Sequence, residues 1–411
     1  MRRLLATFVS LRNRNLRLFF TGQAISATGT WIQKIAQAWL VLELTDSGTL
    51  LGVTAALQQL PILLVGPWGG LLADRLDKRK LLVATQSISA LLAVVLGGLT
   101  QTGNITWWMV LILALLLGMT DALDRPARQT FVAELVPREQ LTNAVLMNSV
   151  IMNSAFMTGP AIAGVLITTV GLAASFYINA ASFLAVIIAL LLLDDAERLR
   201  SPSLQKRRGQ LVEGFRYVRT TPELIAPLIL MGVVGLFLFN WAVMIPLLAR
   251  DVFGGDADLF GSMFALMGVG AVIGGLAVAG TLKASMSALI RSAWVLGVLV
   301  IMLAAAPTLW SVFFVLVCLG AANILVKATT NAYLQLTSEP DKRGRVLSLL
   351  TVAFAGTTPL GAPLVGWIAD VFGVRFALGL GGSIAIFAAA ITAIYLRRSG
   401  SVVPVGACEG D

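Results

Sequence analysis

The feature that most limits what this chain can fold into is a succession of apolar stretches separated by short polar connections. A bilayer's hydrocarbon core takes a helix of about 20 residues to cross, and each backbone amide must find its partner within that helix. Twelve such stretches fit, near residues 17–42, 48–74, 80–100, 106–126, 141–168, 172–193, 223–249, 259–282, 288–306, 309–335, 346–370 and 376–396. The composition agrees: 57% of the residues are hydrophobic and 12% charged, against roughly 25% charged in soluble domains. The expected fold class is an all-α membrane protein with twelve transmembrane helices. Most connections are short, as antiparallel neighbours require. The exception, 194–222, is polar and divides the chain into six-helix bundles 17–193 and 223–396, with an N-terminal segment 1–16 and a tail 397–411.

Charge sets the orientation. The net charge of +9 does not indicate a nucleic-acid partner, because no polar domain gathers the basic residues on one face. Of the 30 Lys and Arg, all but Lys34, Arg250, Lys327 and Arg375 fall in segments that share a side with the N-terminus. By the positive-inside rule both termini are expected to be cytoplasmic, in a multi-pass protein of the cytoplasmic (inner) membrane with lipid as its surroundings. Residues 1–16 carry Arg2, Arg3, Arg12 and Arg14 around a short apolar piece and read as an amphipathic surface segment without a cleavage site. Cys318 and Cys408 have no pairing or metal-ligand spacing, and histidine is absent, which removes the usual general base. No metal, cofactor or enzymatic constellation is expected, and any proton chemistry falls to carboxylates.

The halves repeat. Gly66 and Gly70 recur as Gly270 and Gly274 at an offset of 204, Gly164 and Gly171 as Gly366 and Gly373 at 202, and Pro137 as Pro340 at 203. Val278 stands opposite Asp74. The glycine run from Gly268 to Gly275 lacks the preceding strand and ribose-binding acid of a dinucleotide loop, and serves close helix packing. No phosphate-binding loop is present, so the chain shows no means of hydrolysing ATP.

Gly70, Asp74, Arg75, Lys78 and Arg79 resemble the G-x-x-x-D-R-x-G-R-R loop between helices two and three of the major facilitator superfamily, with Asp77 where the second glycine stands. The run Asn15 to Val41, then Asp124-Arg125-Pro126-Ala127-Arg128-Gln129 with Glu134-Leu135-Val136-Pro137, and Arg343-Gly344-Arg345 are similar to bacterial facilitator exporters of the enterobactin-exporter and macrolide-efflux type. Gly159, Pro160 and Gly164 resemble the antiporter motif G-x-x-x-G-P-x-x-G-G, with Ala155 and Ala163 replacing glycines. The resemblance implies two parallel-repeat six-helix bundles, a cavity lined by spans one, four, seven and ten, and export. It also implies that Asp74 is a gate residue rather than a substrate ligand, holding the outward-open arrangement against span eleven; at the cytoplasmic end of its span the carboxylate can meet the N-terminal end of a neighbouring helix or an arginine such as Arg125 or Arg128.

Polar faces mark the cavity candidates. Gln23, Ser26, Thr30, Gln33, Lys34 and Gln37 fall within a roughly 100° arc of span one. Asn323, Lys327, Asn331 and Gln335 follow one another at four-residue spacing in span ten. Polar groups at membrane depth face protein or a water-filled space. Gln23, Thr30, Lys34, Gln37, Asn323, Lys327 and Asn331 are therefore substrate-binding candidates, and Asn240 and Trp241 of span seven join them through the resemblance. Helix-to-helix hydrogen bonding is the alternative. Asp121 and Asp124 are the proton-coupling candidates. Asp121 and Lys327 sit at about 6 and 9 Å from the middles of repeat-equivalent spans at 1.5 Å per residue, so the two can pair across the cavity. The local alternative is pairing of Asp121 with Arg125 and of Asp124 with Arg128 at i,i+4. The expected function is proton-coupled export of a small amphipathic molecule, a drug or siderophore, by a monomer. The alternatives are an uptake carrier or uniporter on the same fold, and a non-transporting sensor or scaffold.

Overall fold

The computed structural model describes residues 13–194, 216–219, 221–281, 284–339 and 342–398. The start of the amphipathic segment, most of the polar connection 194–222 and the tail beyond 398 lie outside the described residues. The helices are α1 (Arg14–Thr45), α2 (Gly48–Arg75), α3 (Lys78–Gln101), α4 (Trp107–Phe131), α5 (Arg138–Val170), α6 (Leu172–Leu191), α7 (Pro222–Phe237), α8 (Trp241–Leu247), α9 (Ala257–Thr281), α10 (Met286–Ala305), α11 (Leu309–Thr337), α12 (Arg343–Ala355), α13 (Thr358–Phe372) and α14 (Val374–Arg398). Among the described residues, eleven helical spans are long and apolar enough to cross a membrane. With 32 residues α1 is long enough too, but its polar face keeps it out of that set. The twelve apolar stretches thus all appear as helical spans.

Local chemistry fixes the ends. Asn13, Ser47, Asp77, Ser285 and Thr308 each accept a first-turn amide from the helix they cap, which satisfies an N–H that has no partner within the helix. α5 and α13 both stop at a glycine with positive φ, +87° at Gly171 and +88° at Gly373. A side chain would be strained in that conformation. The two repeat-equivalent glycines therefore make the same turn.

Two spans read as continuous in the sequence are broken at mid-depth. The seventh consists of α7 and α8, followed by a π turn at Leu248–Val252. At the break the Asn240 amide donates to the Leu236 carbonyl at 2.7 Å, taking the acceptor that a continued helix would use. The eleventh consists of α12 and α13. There Thr357 bonds the Ala353 and Phe354 carbonyls at 3.3 and 3.2 Å, and Pro359 has no N–H to give.

The packing repeats as the sequence does. α2 lies on α4 as α9 lies on α11, α3 on α6 as α10 on α14, and α1 on α6 as α7 on α14. Glycine allows the first pair of each half to close: a Cβ on Gly118 would lie 2.6 Å from the Gln58 carbonyl oxygen, and one on Gly320 would come closer still to that of Met267. Across the halves, α2 meets α13 and α5 meets α9.

Candidate membrane-embedded transport site

The first-half side of the site is a knot of charges on α4. Asp124, almost fully buried, accepts Thr85 Oγ1 at 2.7 Å and Gln86 Nε2 at 2.8 Å from α3, and pairs with Arg128 one turn away. Arg128 in turn donates to Gln23 Oε1 of α1 at 3.0 Å. One carboxylate and one guanidinium thereby tie three helices together. Asp121 is more open and pairs with Arg125 at 3.1 Å. Both acids thus make the local i,i+4 pairs.

The polar face of α1 divides among its neighbours. Gln33 accepts Asn179 Nδ2 of α6 at 2.6 Å, Gln37 accepts Gln58 Nε2 of α2 at 3.0 Å, and Thr30 donates to its own helix at Ser26 O, 2.8 Å away. Lys34 lies over the Trp31 ring, 4.7 Å from its centroid, within electrostatic reach of Asp121, Arg125 and Arg128. Trp31 continues into an aromatic roof across the halves, edge-on to Phe156 of α5 at 4.8 Å and 6.2 Å from Phe264 of α9.

On the other side, Lys327 of α11 is exposed to open space yet clasped by two rings. Its Nζ lies 4.9 Å from the centroid of Phe239, at the α7–α8 break, and 4.5 Å from that of Phe354, just before the α12–α13 break. Asn323, one turn earlier, accepts Trp241 Nε1 of α8 at 3.4 Å. Asn331 is exposed one turn later and is bonded by Gln335. Asn240 is spent on the helix break, with its Oδ1 unbonded within the protein. The cross-cavity pair of Asp121 with Lys327 is not formed in this structure.

Toward the end that carries most basic residues, Lys78 pairs with the buried Glu134 at 2.5 Å and Arg79 donates to the Leu191 carbonyl at 2.9 Å. These contacts lock the α2–α3 turn onto the ends of α4 and α6. Asp77, in the glycine position of the signature, has φ −64° and caps α3 through Lys80 N at 3.1 Å. Arg75 ends α2 exposed, and Gly70 and Asp74 lie in its last turns, the Asp74 side chain being outside the described residues. Arg125 and Arg128 bond to acids of their own helix. The antiporter-like residues form a helix crossing. Gly159 lies against Trp31, a Cβ on Gly164 would come 3.1 Å from Asp258 Cα of α9, and one on Gly261 would come 2.6 Å from the Pro160 carbonyl.

The described contacts between halves gather at the opposite end, around residues that sequence reasoning did not select. Asp370 of α13 accepts Gly48 N at 2.6 Å, Thr49 N at 2.9 Å, Thr49 Oγ1 at 2.6 Å and Ser47 Oγ at 2.9 Å. Arg250 donates to Leu42 O at 2.6 Å and pairs with Asp46 at 2.9 Å. The second half thus sets an anion at the start of α2 and a cation at the end of α1, as each helix dipole favours. The one signal in the sequence was scarcity: Arg250 and Arg375 are the basic residues of that side, and Arg375 likewise caps a helix end at Ala306 O, 3.0 Å away.

A family profile described as "Transmembrane secretion effector" matches residues 5–401. The chain belongs to this family of the major facilitator superfamily. Relatives include the staphyloferrin A transporter of Staphylococcus aureus, 27% identical over 87% of this chain and 90% of that protein, and macrolide efflux protein A of Streptococcus pyogenes, 26% identical over 89% and 92%. The multidrug efflux pump Tap of Mycolicibacterium fortuitum is 25% identical over 93% and 96%. Among solved structures, a bacterial homologue of the human lysosomal transporter Spinster, inward-facing and unoccupied, matches with a TM-score of 0.76 at 14% identity over 96% of this chain and 99% of that one. The nucleoside transporter NupG matches at 0.75 and 11%, over 92% and 98%. This facilitator is a multi-pass membrane transporter, not an enzyme.

Proposed function

We propose that the protein exports a small amphipathic molecule from the cytoplasm by alternating access, driven by protons. The observation that carries this reading is the placement of charge. Lys34 of α1, Asp121 and Arg125 of α4 and Lys327 of α11 carry charge within apolar spans, Trp31 beside Lys34 joins a ring cluster between the halves with Phe156 and Phe264, and α11 leaves Lys327, Asn331 and Gln335 exposed toward the basic end. With the basic end in the cytoplasm, as the positive-inside rule requires, this is a state open to the cytoplasm, and both chain ends lie on that side. The domain boundaries are those of the two bundles, 17–193 and 223–396, and the monomer is the working unit.

The partly exposed Asp121 is the coupling group, and Asp124, held by its three partners Thr85, Gln86 and Arg128, is the strut of α4 beside it. In the outward-open state Asp121 is released from Arg125 and meets Lys327 as the cytoplasmic side closes. Asp74 holds that closure at the end of α2, while Gly159, Pro160 and Gly164 form the crossing on which the halves rock. Drug and siderophore cargoes suit the relatives named for efflux and for staphyloferrin A. Everted membrane vesicles test the direction: a drug-and-siderophore panel should accumulate on acidifying the lumen and cease on adding a protonophore. Accumulation only in right-side-out vesicles would instead establish the uptake carrier.

A further inference from the structure

We infer that the cargo is an anion, a carboxylate or similar group on an apolar or aromatic skeleton, bound between Lys327 and the Lys34 side of the cavity. This rests on the transporter reading above and names the substrate class of that site.

The charges do not balance without it. Among the described side chains within spans α1, α4 and α11 at this depth, the four cations Lys34, Arg125, Arg128 and Lys327 are matched by only two acids, Asp121 and Asp124. Both carboxylates are committed, Asp121 to Arg125 and Asp124 to Arg128, Thr85 and Gln86. Among the described residues neither lysine has an acid within ion-pair distance. Each rests on aromatic faces instead, Lys34 on Trp31 and Lys327 between Phe239 and Phe354. Ring faces attract a cation but do not neutralise it. An ammonium at membrane depth without a counter-ion is costly, and its partner is normally part of the function. The exposed side of Lys327 leaves N–H donors directed away from the rings, and Asn331 one turn on adds a polar neighbour.

The same arrangement disfavours a cationic cargo, which would meet an excess of positive charge and no free carboxylate. The rings extend the specificity. Phe239 and Phe354, with centroids 4.7 Å apart, offer apolar surface beside the ammonium, so the complementary ligand joins a charged group directly to a flat or greasy one.

Three probes with one ring and different charge decide the matter: 1-naphthylacetate, 1-naphthylacetamide and 1-naphthylmethylammonium, titrated calorimetrically into the full chain in lipid nanodiscs. The acetate should bind about ten- to a hundredfold more tightly than the amide, as a hydrogen bond to a charged group warrants, and the ammonium weakest. Lys327→Gln should bring the acetate to the amide's affinity, whereas Lys327→Arg should keep the preference. Should Lys327→Gln not fold, Lys34→Gln serves, with a reduced acetate preference expected. Equal affinities, no acetate binding, a preference for the ammonium, or an unchanged preference in every folded Gln variant would overturn the anionic cargo. Flux separates the two readings. Gradient-driven efflux of neutral and cationic compounds in preference to anions removes the cargo class and leaves the exporter, while anion-selective binding without gradient-driven flux of any compound removes the exporter and leaves the anion site.

Discussion

Asp121 and Asp124 differ by three positions and have opposite surroundings. Asp124 is 1% exposed and fully bonded, so its charge has no means of leaving its partners. Breaking one side of such a buried pair costs about 3–5 kcal/mol. Asp124→Ala should therefore lower the melting temperature of the purified protein markedly, whereas Asp121→Asn, at a pair with side chains 42% and 28% exposed, should shift stability by less than about 1 kcal/mol and abolish proton-driven flux. Full flux in Asp121→Asn would remove it as the coupling group. The charge swap Asp121→Lys with Lys327→Asp should recover part of the transport lost in each single variant; a double variant no better than the worse single removes the cross-cavity pair. Intramembrane charge made Lys34 and Lys327 visible in the sequence as site candidates. Their ring partners were not visible, because Phe239, Phe354 and Trp31 come from other turns or helices and look like any apolar residue until the fold assembles them.

Elements were legible to the extent that hydropathy determines them. Apolar length marks a span because it is a local property, whereas the caps Ser47 and Asp77 came to light only in the structure. The breaks within the seventh and eleventh spans were hidden, since Asn240 and Thr357 interrupt the helix through side-chain bonds to backbone carbonyls without interrupting the apolar run. Phe239 sits in one break and Phe354 one turn before the other, so the ring clasp on Lys327 depends on both. Asn240→Leu frees the Leu236 carbonyl to continue α7 and should turn Phe239 away from the ammonium. We expect transport to fall by roughly tenfold or more, as misplacement of a site by an ångström can cause, with circular dichroism unchanged or slightly more helical. Intact flux in that variant would show that the break does not position the site.

For the whole molecule, orientation is the reading most directly open to test. In a background lacking Cys318 and Cys408, single cysteines at Asn104 and Asp256 should react with an impermeant thiol reagent from outside the cell, and one at Lys206 should not; the reverse pattern inverts the protein in its membrane. The duplicated packing was legible from glycine spacing, since Gly171 and Gly373 do end their helices alike. The clamp at the α1–α2 turn was not legible, because Asp370 and Arg250 act on residues more than two hundred positions away. That clamp gives the molecule an internal clock. The amide hydrogens of Gly48 and Thr49 are held by the other half, while Leu50 N is held by Ser47 of its own turn at 3.3 Å. Deuterium uptake at Gly48 and Thr49 should therefore measure how often the halves part at that end. It should quicken when a cargo or mutation favours the outward-open state, and the self-capped start of α3 at Lys80 should keep its pace throughout.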